Sequence, residues 1–160
     1  MTKLHKAYLS LGSNINPEAN LRRAIKLLKH RGQVLAISSA WESKAIGSNA
    51  PNYLNACLIY LTGLTVERLR SNILRPIETE LGRTRSGDKF APRPIDIDLI
   101  AFGETAYKME YWNKAFLLVP LSQIAPDFIN PLTNEPVLAD AEHEKVKTWI
   151  VERTEVLTTA

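Results

Sequence analysis

The sequence predicts one α+β domain in which two strand-helix-strand units follow each other along the chain. Its 160 residues are the length of a single domain, so we expect residues 1–160 to form one unit. Short apolar runs bounded by turn residues alternate with segments whose apolar residues recur at helical spacing. The composition, with 45% hydrophobic and 23% charged residues, is typical of soluble globular proteins and excludes a collagen, a disordered tail and a membrane-spanning protein.

The first strand and the first helix are predicted near the start of the chain. Ala7–Leu11 is a short apolar run that ends at the turn residues Gly12-Ser13-Asn14. A helix follows because Asn16 suits the N-cap and Pro17 suits the first helical position. Apolar residues then recur at helical spacing as far as Gly32, which is expected to end the helix.

Two further strands, a second helix and a fourth strand complete the pattern. The strands are predicted at Val34–Trp41, Tyr53–Leu61 and Ile95–Phe102, and the helix is predicted from Thr65 to Gly82. Pro76 lies inside the second helical pattern and is expected to bend or break it, because proline lacks a backbone N–H. The order β-α-β-β-α-β is that of the ferredoxin-like sandwich, an antiparallel sheet with its helices on one face.

The last third of the chain is predicted to form a C-terminal extension of this sandwich. It contains a short apolar piece, a proline-rich irregular stretch and a terminal helix, at Phe116–Ile124, Pro126–Pro136 and Ala139–Glu152. The single Cys57 cannot form an internal disulfide, which favours a reducing compartment, so we expect a cytoplasmic protein. No apolar run is long enough to span a bilayer, and no membrane partner is expected.

Two aspartates on the fourth strand are the sharpest chemical feature. Alternate side chains of a strand share a face, so Asp96 and Asp98 point together while Ile95 and Ile97 point into the core. Aspartate is a poor strand former and two carboxylates on one face repel each other, which a hard divalent cation such as Mg²⁺ would relieve. The alternative is an ordinary half-buried strand with a solvated acidic face.

A basic segment precedes that strand. It supplies four cations within eleven residues, at Arg83, Arg85, Lys89 and Arg93. Arginine guanidinium groups match phosphate oxygens in pairs, so these residues beside metal-binding aspartates would suit a polyphosphate such as ATP. Taken alone, the segment is better explained as a solvated charge run, or as partners of Glu78 and Glu80 on the preceding helix.

Tyr53 and Asn55 share one face of the third strand. An aromatic ring beside an amide suits a flat nitrogen heterocycle, although a strand tyrosine is more often part of the core. The weakly basic pI of about 9.0 also raises the possibility of a ferredoxin-like nucleic-acid binder. The paired strand aromatics of RNA-recognition modules are missing and acidic residues occupy the fourth strand, so no nucleic-acid partner is expected.

Together these segments resemble the signature of the 6-hydroxymethyl-7,8-dihydropterin pyrophosphokinase family. The matching motifs are Ala7–Asn14, Asn52–Ala56, Glu78 with Gly82-Arg83-x-Arg85, Ala91-Pro92-Arg93-x-x-Asp96-Ile97-Asp98-Leu99-Ile100, and Pro120-Leu121-x-x-Ile124-Ala125-Pro126. The resemblance covers roughly residues 4–135. It implies a ferredoxin-like fold and transfer of pyrophosphate from ATP to the pterin hydroxymethyl group in folate synthesis, with AMP as the other product.

The resemblance also implies a role for individual residues. Asp96 and Asp98 would hold two Mg²⁺ ions and, with Arg83 and Arg93, form the catalytic set. ATP, as co-substrate, would contact Glu78, Arg83, Arg85, Arg93, Leu99 and Lys114. The pterin would contact Ser43, Ile46, Tyr53, Asn55, Asp96 and Phe116, with Phe116 stacking opposite Tyr53. Only small-molecule partners are implied, and we expect a monomer.

The chain departs from the family pattern in three places. Glu104–Ala115 is shorter than the usual segment and lacks its histidine, Lys114 stands where the family has an arginine, and the pterin loop reads Ser43-Lys44-Ala45-Ile46 in place of Thr-Pro-Pro-Leu. Lys108 and Tyr111 are candidates for compensating contacts. The sequence therefore leaves open an alternative, a divergent paralogue that binds a pterin or uses another acceptor, with weakened or altered handling of ATP.

Overall fold

An antiparallel sheet forms the centre of the computed structural model, which describes residues 3–45, 49–83 and 91–157. Its strands in the described residues are β1 (His5–Ser13), β2 (Gln33–Ile37), β3 (Ala40–Ser43), β4 (Tyr53–Thr62), β5 (Asp96–Phe102), β6 (Thr105–Ala106) and β7 (Ile150–Arg153). Their spatial order is β6-β5-β1-β4-β3-β7, and β2 pairs with the far end of β4. The central position of β1 brings β4 and β5 to its two sides, which places the segments around Tyr53 and Asp96 near one end of the sheet.

The predicted single strand Val34–Trp41 is wrong, because the chain forms two strands there. Ser38 and Ser39 separate β2 from β3, and both strands pair with successive parts of β4. At the break, the Ser38 amide donates to the Cys57 carbonyl and the Ser38 hydroxyl accepts from the Cys57 amide, both at 2.9 Å. A serine side chain thus replaces part of the regular strand pairing.

The helices are α1 (Pro17–Arg31), α2 (Val66–Leu69), α3 (Arg75–Glu80), α4 (Ala115–Ile124) and α5 (Val137–Lys147). A π-helical turn at Arg70–Leu74 joins α2 to α3 without a break. Pro76 therefore does not end the helix. Its ring crowds the carbonyl four residues earlier and it has no N–H to donate, and the wider turn directly before it accommodates both effects.

Helices cover both faces of the sheet. On one face α1 and α3 pack on alternate residues of β1, with Leu9 and Leu11 fully buried in that core. On the other face α4 and α5 cover Cys57 and Ala101 around the fully buried Trp112. The ferredoxin-like sandwich is confirmed, and the C-terminal extension provides the second helical layer.

The extension differs from its prediction in detail. The apolar piece at Phe116–Ile124 is helix α4, and the predicted helix Ala139–Glu152 is wrong beyond Lys147, where the chain turns into β7. Strand β7 pairs with β3, and Arg153 at its end donates to Glu42 at 2.9 Å and to Glu18 at 2.7 Å. Pairing with β3 and this ion-pair group outweigh the helical tendency of the sequence there.

None of the helices in the described ranges combines the length and the apolar character that a membrane crossing requires.

Candidate active site

Two cavities meet at the amino end of β5. The first has a volume of about 250 Å³ and lies between β5 and the α2–α3 segment. The second has a volume of about 450 Å³ and lies above the ends of β1, β3 and β4. Four residues line both cavities: Arg93, Asp96, Asp98 and Tyr111.

The alternation predicted for the fourth strand is present in β5. Ile95, Ile97 and Leu99 are buried in the core, so Asp96 and Asp98 emerge together on the cavity side. Asp96 is paired across the sheet with Gly12 of β1. A Cβ at Gly12 would lie 3.1 Å from the Asn55 side-chain oxygen, so glycine leaves room here for the amide that lines the second cavity.

Asp96 is held by two arginines. The Arg83 Nη1 donates to Asp96 Oδ1 and to Glu78 Oε2, both at 2.6 Å, and the Arg93 Nη1 lies 3.3 Å from Asp96 Oδ2. Burial alone would lower the pKa of Arg83, but the charges of Asp96 and Glu78 raise it. Arg83 is therefore a permanent cation that can exchange carboxylate oxygens for phosphate oxygens.

Glu78 helps to hold Arg83 in its position beside Asp96. Its side chain is buried, with 5% of the residue exposed, and its Oε2 also accepts from the Ile97 amide at 2.8 Å. Burial raises the pKa of Glu78, while the Ile97 amide and Arg83 oppose that rise. The alternative in which basic residues pair with the preceding helix is thus partly realised, because Arg83 bridges Glu78 and Asp96 at once.

The negative charge of Asp98 is less well compensated by nearby cations than that of Asp96. Burial, followed by the charge of Asp96, raises its pKa from 3.8 to about 7. The Lys108 ammonium lies 3.7 Å from Asp98 Oδ1 and opposes the rise. The Tyr111 hydroxyl is hydrogen-bonded to Asp98, and burial together with the two aspartates raises the pKa of Tyr111.

The carboxylate pair fits Mg²⁺ by its donor chemistry. Two oxygen ligands lie on one strand, next to a cavity lined with phosphate-binding residue types, and the raised pKa of Asp98 marks a negative charge that a cation would compensate. The described part of the chain contains no group of three or more His, Cys, Asp and Glu side chains placed to hold an ion. A pair fits magnesium, which commonly takes one or two carboxylates and completes its shell with water and substrate phosphates.

The first cavity is strongly basic. Five cationic side chains line it, against the three carboxylates of Glu78, Asp96 and Asp98; the cations are Arg70, Arg75, Arg83, Arg93 and Lys108. Leu99 also lines it, as predicted for a nucleotide contact. An excess of cations around a partly enclosed volume favours a polyanionic ligand.

The second cavity combines aromatic rings with amide and hydroxyl groups. Tyr53, Asn55 and Ser43, from paired positions of β3 and β4, line it together with Phe116 at the start of α4. The Asn55 side chain donates to the Ser43 hydroxyl at 2.7 Å, and Phe116 packs edge to face against Tyr111 with ring centroids 5.1 Å apart. Flat rings beside hydrogen-bonding groups suit a planar heterocycle.

Most of the predicted site residues therefore come together, with three exceptions. Arg85 and Ile46 lie outside the described residues. Lys114, predicted to contact the nucleotide, lines the second cavity and not the first, because it stands at the N-cap of α4 beside Phe116. Its position favours the acceptor side of the site.

The site also contains residues that the sequence reasoning did not assign to it. Arg70 and Arg75 line the first cavity, and the sequence signal for Arg75 was its spacing of three residues from Glu78, which puts both on one side of α3. Asn14 accepts from the Arg93 amide at 2.7 Å and donates to the Pro51 carbonyl at 3.3 Å, which ties the ends of two loops to β1. The motif Gly12-Ser13-Asn14 contains it, but its partners are distant in sequence.

Comparison with known proteins identifies the family. The model of the family described as 7,8-dihydro-6-hydroxymethylpterin-pyrophosphokinase matches residues 8–126. The chain belongs to this family. The predicted resemblance is confirmed, and with it the family's reaction, the transfer of pyrophosphate from ATP to hydroxymethyldihydropterin in folate synthesis.

Relatives in this pyrophosphokinase family cover most of the chain. A Synechocystis protein named 2-amino-4-hydroxy-6-hydroxymethyldihydropteridine pyrophosphokinase is 35% identical in an alignment 147 residues long that covers 84% of this chain and 73% of that protein. A Haemophilus influenzae protein of the same name is 31% identical in an alignment 156 residues long that covers 88% of this chain and 96% of that one. A crystal structure of Plasmodium falciparum HPPK-DHPS superposes with a TM-score of 0.70 at 12% identity, covering 92% of this chain and 42% of the other, and supports the fold.

Proposed function

We propose that the chain carries out this pyrophosphate transfer as a Mg²⁺-dependent enzyme, with ATP in the first cavity and 6-hydroxymethyl-7,8-dihydropterin in the second. The observation that carries the proposal is the shared boundary, where Asp96 and Asp98 line both cavities. A group that passes from one substrate to the other has to cross that boundary.

The basic first cavity supports its assignment to the nucleotide. Arg83 and Arg93 already bind carboxylate oxygens there, and their guanidinium groups can bind phosphate oxygens in the same geometry. Glu78 would keep Arg83 in place while that exchange occurs, since its other hydrogen bond fixes it to the backbone of β5. ATP would be held mainly by charge.

Asp96 and Asp98 would hold the magnesium, with two ions as the number we propose. Held by these two carboxylates beside the phosphates, the metal would supply positive charge that compensates the charge developing during the transfer. The strand fixes the separation of the two carboxylates, so the protein can present them without a loop rearrangement.

The second cavity supports the pterin assignment through its shape and polar groups. Tyr53 and Phe116 offer faces for ring stacking, while the Asn55 amide and the Ser43 hydroxyl can exchange their mutual hydrogen bond for bonds to ring nitrogens. The hydroxymethyl oxygen would then lie toward Asp96. It would bond to the β-phosphorus as the bond from that phosphorus to the AMP oxygen breaks, and its proton would be released to water. Positioning with electrostatic stabilisation would supply most of the rate.

The nucleotide product tests this proposal. With ATP, Mg²⁺ and the pterin, we expect AMP and the pterin diphosphate, and no product when EDTA removes the metal. Asp98→Asn should abolish turnover, whereas Asp127→Asn, at an exposed position of the C-terminal extension, should leave it unchanged. Formation of ADP, or turnover that persists without divalent metal, would contradict the proposal.

We further propose that the chain acts in the cytoplasm as a monomer. Cys57 is fully buried and free, which fits a reducing compartment.

A further inference from the structure

We propose that Lys108, and not Lys114, is the lysine of the Glu104–Ala115 segment that binds the phosphates of ATP. This inference rests on the proposed function, because it places the nucleotide in the first cavity. The segment contains both lysines, yet only Lys108 lines that cavity, while Lys114 lines the other one.

The position of Lys108 is fixed by the fold around it. Its backbone is left-handed, with φ 55° and ψ 54°, at the start of the short 3₁₀ turn Met109–Tyr111. Such a backbone is uncommon for residues other than glycine and persists only where neighbouring contacts impose it. The Lys108 carbonyl accepts from the Tyr111 amide at 2.8 Å, which closes the turn.

Buried contacts anchor this turn at both ends. On the N-terminal side, the Tyr107 amide donates to the Ile100 carbonyl of β5 at 2.9 Å. On the C-terminal side, the indole of the fully buried Trp112 donates to the Tyr107 carbonyl at 2.8 Å, and the Asn130 side chain donates to the Trp112 carbonyl at 2.9 Å. These hydrogen bonds on both sides of the turn therefore fix Lys108 at the cavity.

The surroundings of the Lys108 ammonium suit exchange between a carboxylate and a phosphate. The side chain is 40% exposed and its Nζ lies 3.7 Å from Asp98 Oδ1, longer than the 2.6 Å contacts of Arg83. A loose ion pair of this kind costs little to break. A cation bound at Asp98 would repel the ammonium, and the phosphates of ATP in the same cavity would attract it.

The charges of the cavity favour this exchange. Arg83 and Arg93 are both within ion-pair distance of Asp96, and Arg83 is also committed to Glu78. Lys108 comes from a different part of the chain, since it follows β6, whereas Arg83 follows α3 and Arg93 precedes β5. It would therefore add a phosphate contact to those of Arg83 and Arg93, with a cation that is paired to Asp98 and not to Asp96.

Binding measurements with the whole chain test the inference. The probe is α,β-methylene-ATP, which cannot donate its pyrophosphate, titrated by calorimetry with Mg²⁺ and again in EDTA. Lys108→Gln should weaken nucleotide binding about tenfold in both conditions, the loss typical of one hydrogen bond to a charged group. Lys108→Arg keeps the cation and should recover most of the affinity.

Two control variants and two further measurements on Lys108→Gln separate a phosphate contact from a structural role. Lys114→Gln, which is matched in chemistry and in segment, should leave nucleotide affinity within about twofold of wild type, as should Lys29→Gln on the exposed side of α1. Lys108→Gln should also leave the binary affinity for the pterin unchanged, and it should lower the melting temperature by no more than about 4 °C, because only its ion pair with Asp98 is lost. A loss of both ligands together would overturn the inference and assign Lys108 a structural role.

The outcomes also distinguish this inference from the proposed function. If the wild-type chain binds the ATP analogue and Lys108→Gln binds it equally well, Lys108 is not a phosphate ligand and the proposed function stands. If Lys114→Gln loses the affinity instead, the inference is wrong and the prediction made for Lys114 is correct. If the wild-type chain binds no nucleotide, the proposed function itself fails.

Discussion

Replacing Asp98 with asparagine is expected to stabilise the protein in metal-free buffer at neutral and higher pH. Asp98 is held beside Asp96 in a buried position, and its pKa is raised from 3.8 to about 7 by burial and by the charge of Asp96. Asparagine has nearly the same shape and carries no charge, so it can keep a hydrogen bond with Tyr111 without that cost.

The sign and the size of the effect follow from the pKa. Between about pH 4 and pH 7 the folded chain retains a proton on Asp98 that the unfolded chain has released, so its stability falls as the pH rises through that interval. A gap of about three pH units corresponds to about 4 kcal/mol at most once Asp98 is fully ionised. The attraction between Lys108 and ionised Asp98 already opposes the rise of this pKa, so the value of about 4 kcal/mol includes the loss of that ion pair in the variant.

Urea unfolding in EDTA, at several pH values from 5 to 8, measures this difference. At pH 5 the variant should already be more stable by about 1–2 kcal/mol, because the unfolded chain has released the Asp98 proton, and the difference should grow to about 4 kcal/mol above pH 7. Asp127→Asn is the matched control, because Asp127 is exposed and lines neither cavity. A variant that is less stable than wild type, or a difference that does not change with pH, would refute the idea that the fold bears an uncompensated charge at Asp98.

Two further predictions concern the acceptor cavity and the core. Tyr53→Ala should weaken pterin binding about tenfold or more in calorimetry, since a stacking face is lost, whereas Tyr53→Phe keeps the ring and should keep the affinity. Nucleotide affinity should stay the same in both variants. An equal loss of affinity for both ligands would contradict a pterin-specific role. Gly32→Ala should lower the free energy of unfolding by about 1–3 kcal/mol, because the added Cβ would lie 2.5 Å from Cζ of Tyr60. The Tyr60 ring is held in place, since its hydroxyl donates to the Leu28 carbonyl at 3.2 Å. Urea unfolding that shows no loss for Gly32→Ala would mean that the Tyr60 ring can move aside.

The site was more predictable than the elements that surround it. The alternation of Asp96 and Asp98 with buried residues depends only on the two-residue repeat of a strand, so the sequence was sufficient to place both carboxylates on one face. The division of Val34–Trp41 at Ser38 was not predictable in the same way, because it depends on hydrogen bonds to Cys57, nineteen residues further along the chain.

The end of the chain shows the same limit. Its composition suits a helix as far as Glu152, yet Ile150–Arg153 becomes a strand because β3 offers a free edge for pairing. No local sequence pattern predicts that edge, because β3 has an unpaired edge only once it has paired with β4 in the sheet. Similarly, the opposite placement of Lys108 and Lys114 depends on the turn that Trp112 anchors and not on their spacing.

The amino-acid sequence by itself determined the ferredoxin-like order of strands and helices, the paired carboxylates on β5 and the family's reaction, because each depends on local periodicity or on contiguous motifs. Only the tertiary structure decided that Asp96 and Asp98 line two cavities at once, that Arg83 bridges Asp96 and Glu78, and which lysine faces which cavity. These are contacts between residues from separate elements, and they exist only when the sheet and both helical layers have brought those elements together.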